Sequence, residues 1–287
     1  MSNIPNKPTV EYCKHKRGRD RTESKVIKKL FSPTFGKVVF QKSYEHLLQV
    51  SLSGMNIGVG GVEESGETYI LRYLKDKLAS TTEHMTIFDV GANIGRYTLL
   101  VLDVFRGRNV NVFSFEPSLR TFQELRKNVG ENRKAKLYNF GFSNENARVT
   151  LFYDTEKSGL SSLYNRKLDH IGIQMKHKEE VEVKRIDDFC EENKTDKIDL
   201  LKMDVEGHEL KVLEGANNMI DNDAIRLIQF EFGGCNIDSR TFFRDFFYFL
   251  NEKYKIFRIL KDGLHPINRY KETCELFMAT NFLAEHR

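Results

Sequence analysis

The chain has 287 residues, 40% of them hydrophobic, with 45 Lys and Arg against 41 Asp and Glu for a net charge of +4. That length holds one large domain with a substantial core and excludes a disulfide-stapled miniprotein, while the modest charge gives the body no global polyanion-binding signature. Cys13, Cys190, Cys235 and Cys274 stand far apart with no C-x-x-C pair, which argues against a zinc ribbon or thioredoxin-type site and for free thiols in a reducing compartment. No run approaches the roughly eighteen apolar residues of a membrane helix, and the polar N-terminus lacks a secretory signal's apolar core, so a soluble cytoplasmic protein is expected.

In chain order, residues 1–30 read as a basic, disordered tail, with Lys14, Lys16, Arg17, Arg19, Arg21, Lys25 and Lys28 set against Glu11, Asp20 and Glu23. The tail lacks interleaved aromatics, so a nucleic-acid partner is not expected. Residues 31–84 form an accessory segment in which Tyr69, Ile70, Tyr73, Leu74 and Leu78 fall at helical spacing. Regular alternation begins near Met85 and defines a domain over 85–287. There Thr86–Val90 is a strand, a helix carries Ile94, Tyr97, Val101 and Phe105, and Val110–Phe115 is a second strand. Pro117 and Ser118 open the next helix, and Ala135–Phe140 is a third strand. The polar span Ser143–Glu180 predicts hairpins and loops, and it could act as a lid. Ile198–Val205 and Ile225–Phe232 are core strands, separated by a helix from Gly207 to a cap near Gly215. A helix around Phe242–Leu250 and strands at Lys255–Leu260 and Glu275–Asn281 complete the pattern. Alternating strands and helices imply a mostly parallel sheet covered on both faces, with ligands at the carboxyl ends of the strands.

The stretch Phe88-Asp-Val-Gly-Ala-Asn-Ile-Gly-Arg-Tyr-Thr98 lies at the first strand-to-helix junction. Gly91 and Gly95 allow a tight turn around Ala92 and Asn93, and the helix start offers free amide groups, which suits a nucleotide-like cofactor. A dinucleotide fingerprint would need glycine at 93 and near 96, where Asn93 and Arg96 stand, so NAD is disfavoured. Asp89 before the turn suits a cationic sulfonium cofactor, and Glu116 at the end of the second strand can accept bonds from both hydroxyls of a ribose. Each also has a plainer role, Asp89 as a turn cap and Glu116 as a solvated helix-start acid.

Asp89–Gly95, Phe115-Glu-Pro117, Ser158-Gly-Leu-Ser-Ser162 and Lys202-Met-Asp-Val-Glu-Gly-His-Glu209 together resemble the FkbM family of S-adenosylmethionine-dependent methyltransferases, from Glu67 to Leu283. The resemblance implies the class I methyltransferase fold, a Rossmann-like three-layer α/β sandwich whose seven-stranded, mostly parallel sheet has its last strand antiparallel. It also implies O-methylation of sugars, polyketides or related metabolites. Where many class I enzymes place an acid against the adenine, this chain has Ser143 and Asn144, which could hydrogen-bond the ring or simply form a turn.

The reaction is expected at Lys202–Glu209. Lys202, Asp204 and Glu206 share a face if the strand stays extended, and Gly207 then opens a helix that returns His208 to the same edge. Ionisable groups at the end of an apolar strand must pair or act on a ligand, and a Lys202–Glu206 ion pair shaping the turn is one alternative. His208 is the natural general base if its imidazole titrates near 6.5, with Asp204 the other candidate. Glu231, on the next strand's end, could join Asp204 in holding magnesium, which is possible but not required by the resemblance. The basic tail alone favours an RNA or protein methyltransferase, and a cofactor-binding module without catalysis is the third reading.

Overall fold

The computed structural model describes residues 25–26, 28–58, 65–79, 84–156 and 158–287, so most of the 1–30 tail lies outside the described residues. The chain divides into two compact units, Met1–Ser51 and Leu52–Arg287. The first contains short 3-10 turns at Ser32–Thr34 and Val38–Phe40 and the start of helix α1 (Gln41–Gly54).

The second unit is built on an eight-stranded sheet. Its strands are β1 (Met85–Val90), β2 (Val110–Phe115), β3 (Ala135–Tyr138), β7 (Ile198–Met203), β8 (Ile225–Phe232), β9 (Tyr254–Ile259), β10 (Leu264–Pro266) and β11 (Thr280–His286), in the order β3-β2-β1-β7-β8-β11-β9-β10. From β3 to β8 the pairs are parallel, and β11 runs antiparallel to both β8 and β9. This is the class I methyltransferase topology, with β10 added as a short hairpin strand on β9.

Each central strand is apolar on both sides because both faces are covered, and period-two alternation sorts its residues between two cores. Ile87, Leu200, Leu227 and Leu283 face α2 (Glu67–Lys77) and α3 (Arg96–Val104), meeting Ile70, Leu71, Leu74, Tyr97, Val101 and Phe105. Phe88, Leu201, Ile228 and Phe282 face the other way, toward α5 (Ile186–Glu192), α6 (Glu209–Glu214) and α9 (Phe243–Leu250). The helix expected at 67–78 is thus part of the sheet's own packing.

Three features depart from the sequence reading. The span 143–180 contributes to a separate small sheet of β4 (Gly141–Phe142), β5 (Ala147–Tyr153) and β6 (His177–Lys184), in the order β4-β6-β5. The last strand is Thr280–His286 rather than Glu275–Asn281, because Glu275 is used at a helix start: its carboxylate accepts from Phe243 N (2.8 Å) and Arg244 N (2.9 Å) of α9. Helix α5 was not foreseen. Its Phe189 stands edge-on to Phe88, Phe113, Phe115, Tyr138 and Phe142, with centroids 5.1–6.2 Å away.

Phe189 is 2% exposed, so its truncation leaves a cavity that these rings cannot easily close. Phe189→Ala is expected to lower unfolding free energy by about 3–5 kcal/mol in urea denaturation. A loss below about 1 kcal/mol would show that the cluster does not organise this side of the sheet.

Candidate functional site

At the carboxyl end of β1 the chain turns between two neighbouring strands. Gly91 N and Ala92 N both donate to Phe115 O at 3.0 Å, and Asp204 N donates to Val90 O at 3.0 Å. Gly91 adopts φ +77°, and a Cβ there would stand 1.9 Å from Asp204 O. The glycine is required by the crossing of its own backbone with the loop after β7. Gly95, at φ +90°, closes the turn against Leu125 of α4 (Leu119–Val129), beside which Ala92 is buried. Asn93 takes a left-handed φ of +49° and caps its own turn, accepting from Ile94 N at 2.6 Å.

Asp89 is wholly buried and absent from the cleft walls. Its Oδ2 accepts from Thr98 Oγ1 (2.7 Å), Thr98 shares a hydrogen bond with Ser114 Oγ (2.8 Å), and Oδ1 lies 3.3 Å from Lys202 Nζ. The sequence reading matched Asp89 to a sulfonium cofactor; the structure gives its carboxylate to an internal network. Lys202 also lies 3.6 Å from Asp204 Oδ2 and 5.1 Å from the Tyr97 ring centroid. Burial alone would discharge Lys202, but Asp89, Asp204 and Glu67 together outweigh it and hold its pKa above the ordinary value. Glu67 comes from the start of α2, where burial raises its own pKa against the pull of Lys202.

Glu116 follows β2, 7% exposed. Oε2 accepts from Asn93 N (3.0 Å) and Oε1 from Ser118 N (2.9 Å), and burial outweighs these bonds to push its pKa up to about 7. It lies on the wall of a cleft of about 770 Å³ together with Asn93, Phe142, Leu151, Gly159, Asp204 and His208. A second recess, of about 730 Å³, is walled by Glu67, Tyr97, Lys202 and Asp204. Gly91, Asn93, Gly159 and Asp204 belong to both, and the Asp204 side chain is 47% exposed.

Lys202 and Asp204 share a face and lie 3.6 Å apart, but the chain leaves the extended conformation by Glu206, so 206 does not continue it. Glu206 turns to φ +52° and pairs with Arg166 rather than with Lys202. Burial, then Asp204, push the Glu206 pKa up against Arg166, and burial, then Asp204 and Glu206, do the same for Glu231. Glu209 is wholly buried and binds the loop's amides, accepting from Val205 N (3.0 Å) and Gly207 N (3.1 Å). Among the described residues no group of three or more His, Cys, Asp or Glu side chains is placed to hold a metal ion.

His208 differs most from expectation. Its Nε2 shares a hydrogen bond with Ser143 Oγ (2.9 Å) and its Nδ1 with Tyr164 Oη (3.0 Å), and burial, helped by Lys211, lowers its pKa to about 4. Ser143 and Asn144, unlike His208, are absent from the cleft wall. Ser143 bonds to His208, and Asn144 Nδ2 donates to Glu214 Oε2 at 3.1 Å, while Gly141 and Phe142 take the cleft wall instead. Gly215 is glycine because its Cβ would fall 2.0 Å from Ser143 O.

The segment 158–166 crosses above this loop. Asn93 Nδ2 donates to Ser158 O (3.3 Å), Ser162 Oγ donates to Glu206 O (2.7 Å), and Tyr164 and Arg166 reach His208 and Glu206. Tyr164 and Arg166 were missed in the sequence, where they sit in a loop without periodicity.

Gly91→Ala combines a disfavoured φ with a backbone clash, whereas Gly107→Ala meets the same φ sign (+81°) with nothing within 4 Å. The Gly107 variant should lose about 1–2 kcal/mol of stability and the Gly91 variant clearly more. Equal losses in thermal or urea unfolding would mean that the β1–β7 crossing is not tight.

Residues 89–256 match the Methyltransferase FkbM domain. Among curated proteins, Methyltransferase 1 of Beauveria bassiana is 29% identical over 161 residues, covering 49% of this chain and 64% of that protein. Hexuronic acid methyltransferase AglP of Haloferax volcanii is 27% identical over 171 residues, covering 58% and 64%. The 2-O-methyltransferase NoeI of Sinorhizobium fredii is 27% identical over 143 residues, covering 47% and 58%. The chain therefore spans less than two thirds of the length of each of these relatives. The match across more than half of the chain, on the strand ends that build this cleft, makes the protein a member of the FkbM methyltransferase family.

Proposed function

We propose that the protein is an S-adenosylmethionine-dependent O-methyltransferase acting on a hydroxyl of a sugar, glycan or small metabolite. The observation that carries the reading is the position of Asp204, half-exposed on the wall shared by two recesses, one of which also holds Glu116. Two of the relatives support the acceptor class by name, a hexuronic acid methyltransferase and a 2-O-methyltransferase.

The cleft that holds Glu116 has a set of polar groups that fits the cofactor. Each Glu116 oxygen accepts one backbone N–H and retains acceptor capacity for vicinal hydroxyls. Phe142, Leu151 and Val183 offer an apolar slot for a flat base, and the carboxylates around Asp204 suit a cation. When bound, S-adenosylmethionine supplies a methyl group on a sulfonium that departs as a neutral thioether.

The protein's part is mainly positional, because in-line displacement depends on holding the acceptor oxygen in a near-attack geometry. Asp204 accepts the acceptor's hydroxyl proton as the oxygen becomes nucleophilic, and Lys202 holds that carboxylate in place. His208 acts through position on this reading: both ring nitrogens are engaged, and its low pKa keeps it neutral at physiological pH. Glu206 is tied to Arg166, and Lys202 to Asp89, so neither is free to take the proton.

Glu116→Ala is expected to weaken S-adenosylmethionine binding by about 1.5–3 kcal/mol by calorimetry. Asp204→Asn should leave that binding nearly intact and lower turnover roughly a hundredfold or more. Full turnover in Asp204→Asn at saturating acceptor would remove it from the reaction. Because the His208 pKa lies near 4, it is already deprotonated above about pH 5 and contributes no rising limb at pH 6–7. A limb there that disappears in His208→Gln would reinstate histidine as the base.

A further inference from the structure

At the far end of the large sheet, β9, β10 and the loop 267–276 enclose another cleft, of about 1090 Å³, that methyl transfer does not use. It opens at the same sheet edge as the site, since Thr280, which begins β11 opposite Phe232 at the end of β8, lies on its wall. β9 is three strands from β7, or about 14 Å at ~4.8 Å per strand.

The charge in this cleft is one-sided. Arg258, His265, Arg269 and Lys271 line it and no described carboxylate does, although acidic side chains outnumber basic ones by 37 to 34 over residues 52–287. Glu275, close in sequence, is occupied by the amides of α9 and the Tyr270 hydroxyl (2.9 Å). Arg258 is the inner member, and its Nε is buried with no hydrogen-bond partner among the described residues. Burial lowers its pKa, opposed by Cys274 and by no carboxylate, yet an arginine keeps its charge. A half-buried guanidinium with its Nε out of reach of water and no carboxylate partner is costly to maintain, and planar bidentate oxyanions are the ligands its fork matches.

We propose that this cleft is an oxyanion site that takes the phosphate or carboxylate of an acidic acceptor, with Arg258 at its floor and Arg269 and Lys271 at its rim. Ile57, Leu276 and Phe282 give the carbon skeleton of such a ligand an apolar wall. Naming the ligand an acceptor rests on the methyltransferase reading above, whereas the oxyanion site rests on its own residues. The separation from Asp204 suits an acceptor whose acidic group is remote from the methylated hydroxyl.

Calorimetry on the full chain at low salt, with inorganic phosphate and with glucuronate as separate probes, tests this, with S-adenosylmethionine titrated in parallel. At least one anion should bind, and Arg258→Met should weaken it about tenfold or more without changing S-adenosylmethionine affinity. The combined Arg269→Ala and Lys271→Ala variant changes only exposed positions, and it should show the same loss even if Arg258→Met fails to fold. Tighter phosphate binding assigns a phosphoryl-bearing ligand, and tighter glucuronate binding a sugar acid. If neither anion binds up to about 10 mM, or binding is unchanged in the double variant, the oxyanion site is wrong while intact S-adenosylmethionine binding leaves the methyltransferase reading standing. Anion binding in a protein with no affinity for S-adenosylmethionine would uphold the site and overturn that reading together with the acceptor assignment.

Discussion

Asp89 and Lys202 are register partners on β1 and β7, in the middle of the sheet, and both are buried. Removing Lys202 would strand the Asp89 charge in an apolar interior, a loss that typically reaches about 3–5 kcal/mol, whereas Lys202 without Asp89 would still face Asp204 at 3.6 Å. The pair therefore fixes how these strands sit against each other. Thr98 of α3 and Ser114 of β2 extend the network through Asp89, and the Tyr97 ring covers Lys202. Two residues beyond Lys202, Asp204 emerges at the cleft, held by Val90 O through its backbone and by Lys202 through its side chain. The site's most exposed acid is thus supported by charges that the ligand need not touch.

Much of this was legible in the sequence because the central strands are buried on both faces. Continuous runs such as Thr86–Val90 and Ile198–Met203 have few alternatives, and acids or glycines at their ends stand out against them. Glu116 on the cleft wall and the tight Gly91 turn follow from that contrast. Burial of individual polar side chains was not legible. His208 and Ser143 are residue types that serve catalysis or ligand binding, but only the fold shows that they bond to each other and that His208 also bonds Tyr164. Glu67 and Arg166, and the role of Glu209 within its motif, leave no trace in the sequence because their partners are distant or are backbone amides, neither of which is periodic. Helix α5 is short, with its apolar residues Ile186, Phe189 and Cys190 set among acids, too brief a pattern to separate from a loop.

The β7–α6 loop carries backbone strain that its neighbours offset. Glu206 at φ +52° is a non-glycine residue in the left-handed region, next to Gly207 at φ +102°, and such a residue costs about 1–2 kcal/mol. Glu209 holds the loop from within through Val205 N and Gly207 N. The remaining restraints come from the segment above it: Ser162 Oγ on Glu206 O, Arg166 on the Glu206 carboxylate, and Tyr164 on His208. At about 1 kcal/mol net per hydrogen bond, and more for the charged pair, these contacts exceed the strain they hold. These contacts tie residues 158–166 to Glu206 and His208 on the wall of the cleft that also carries Asp204.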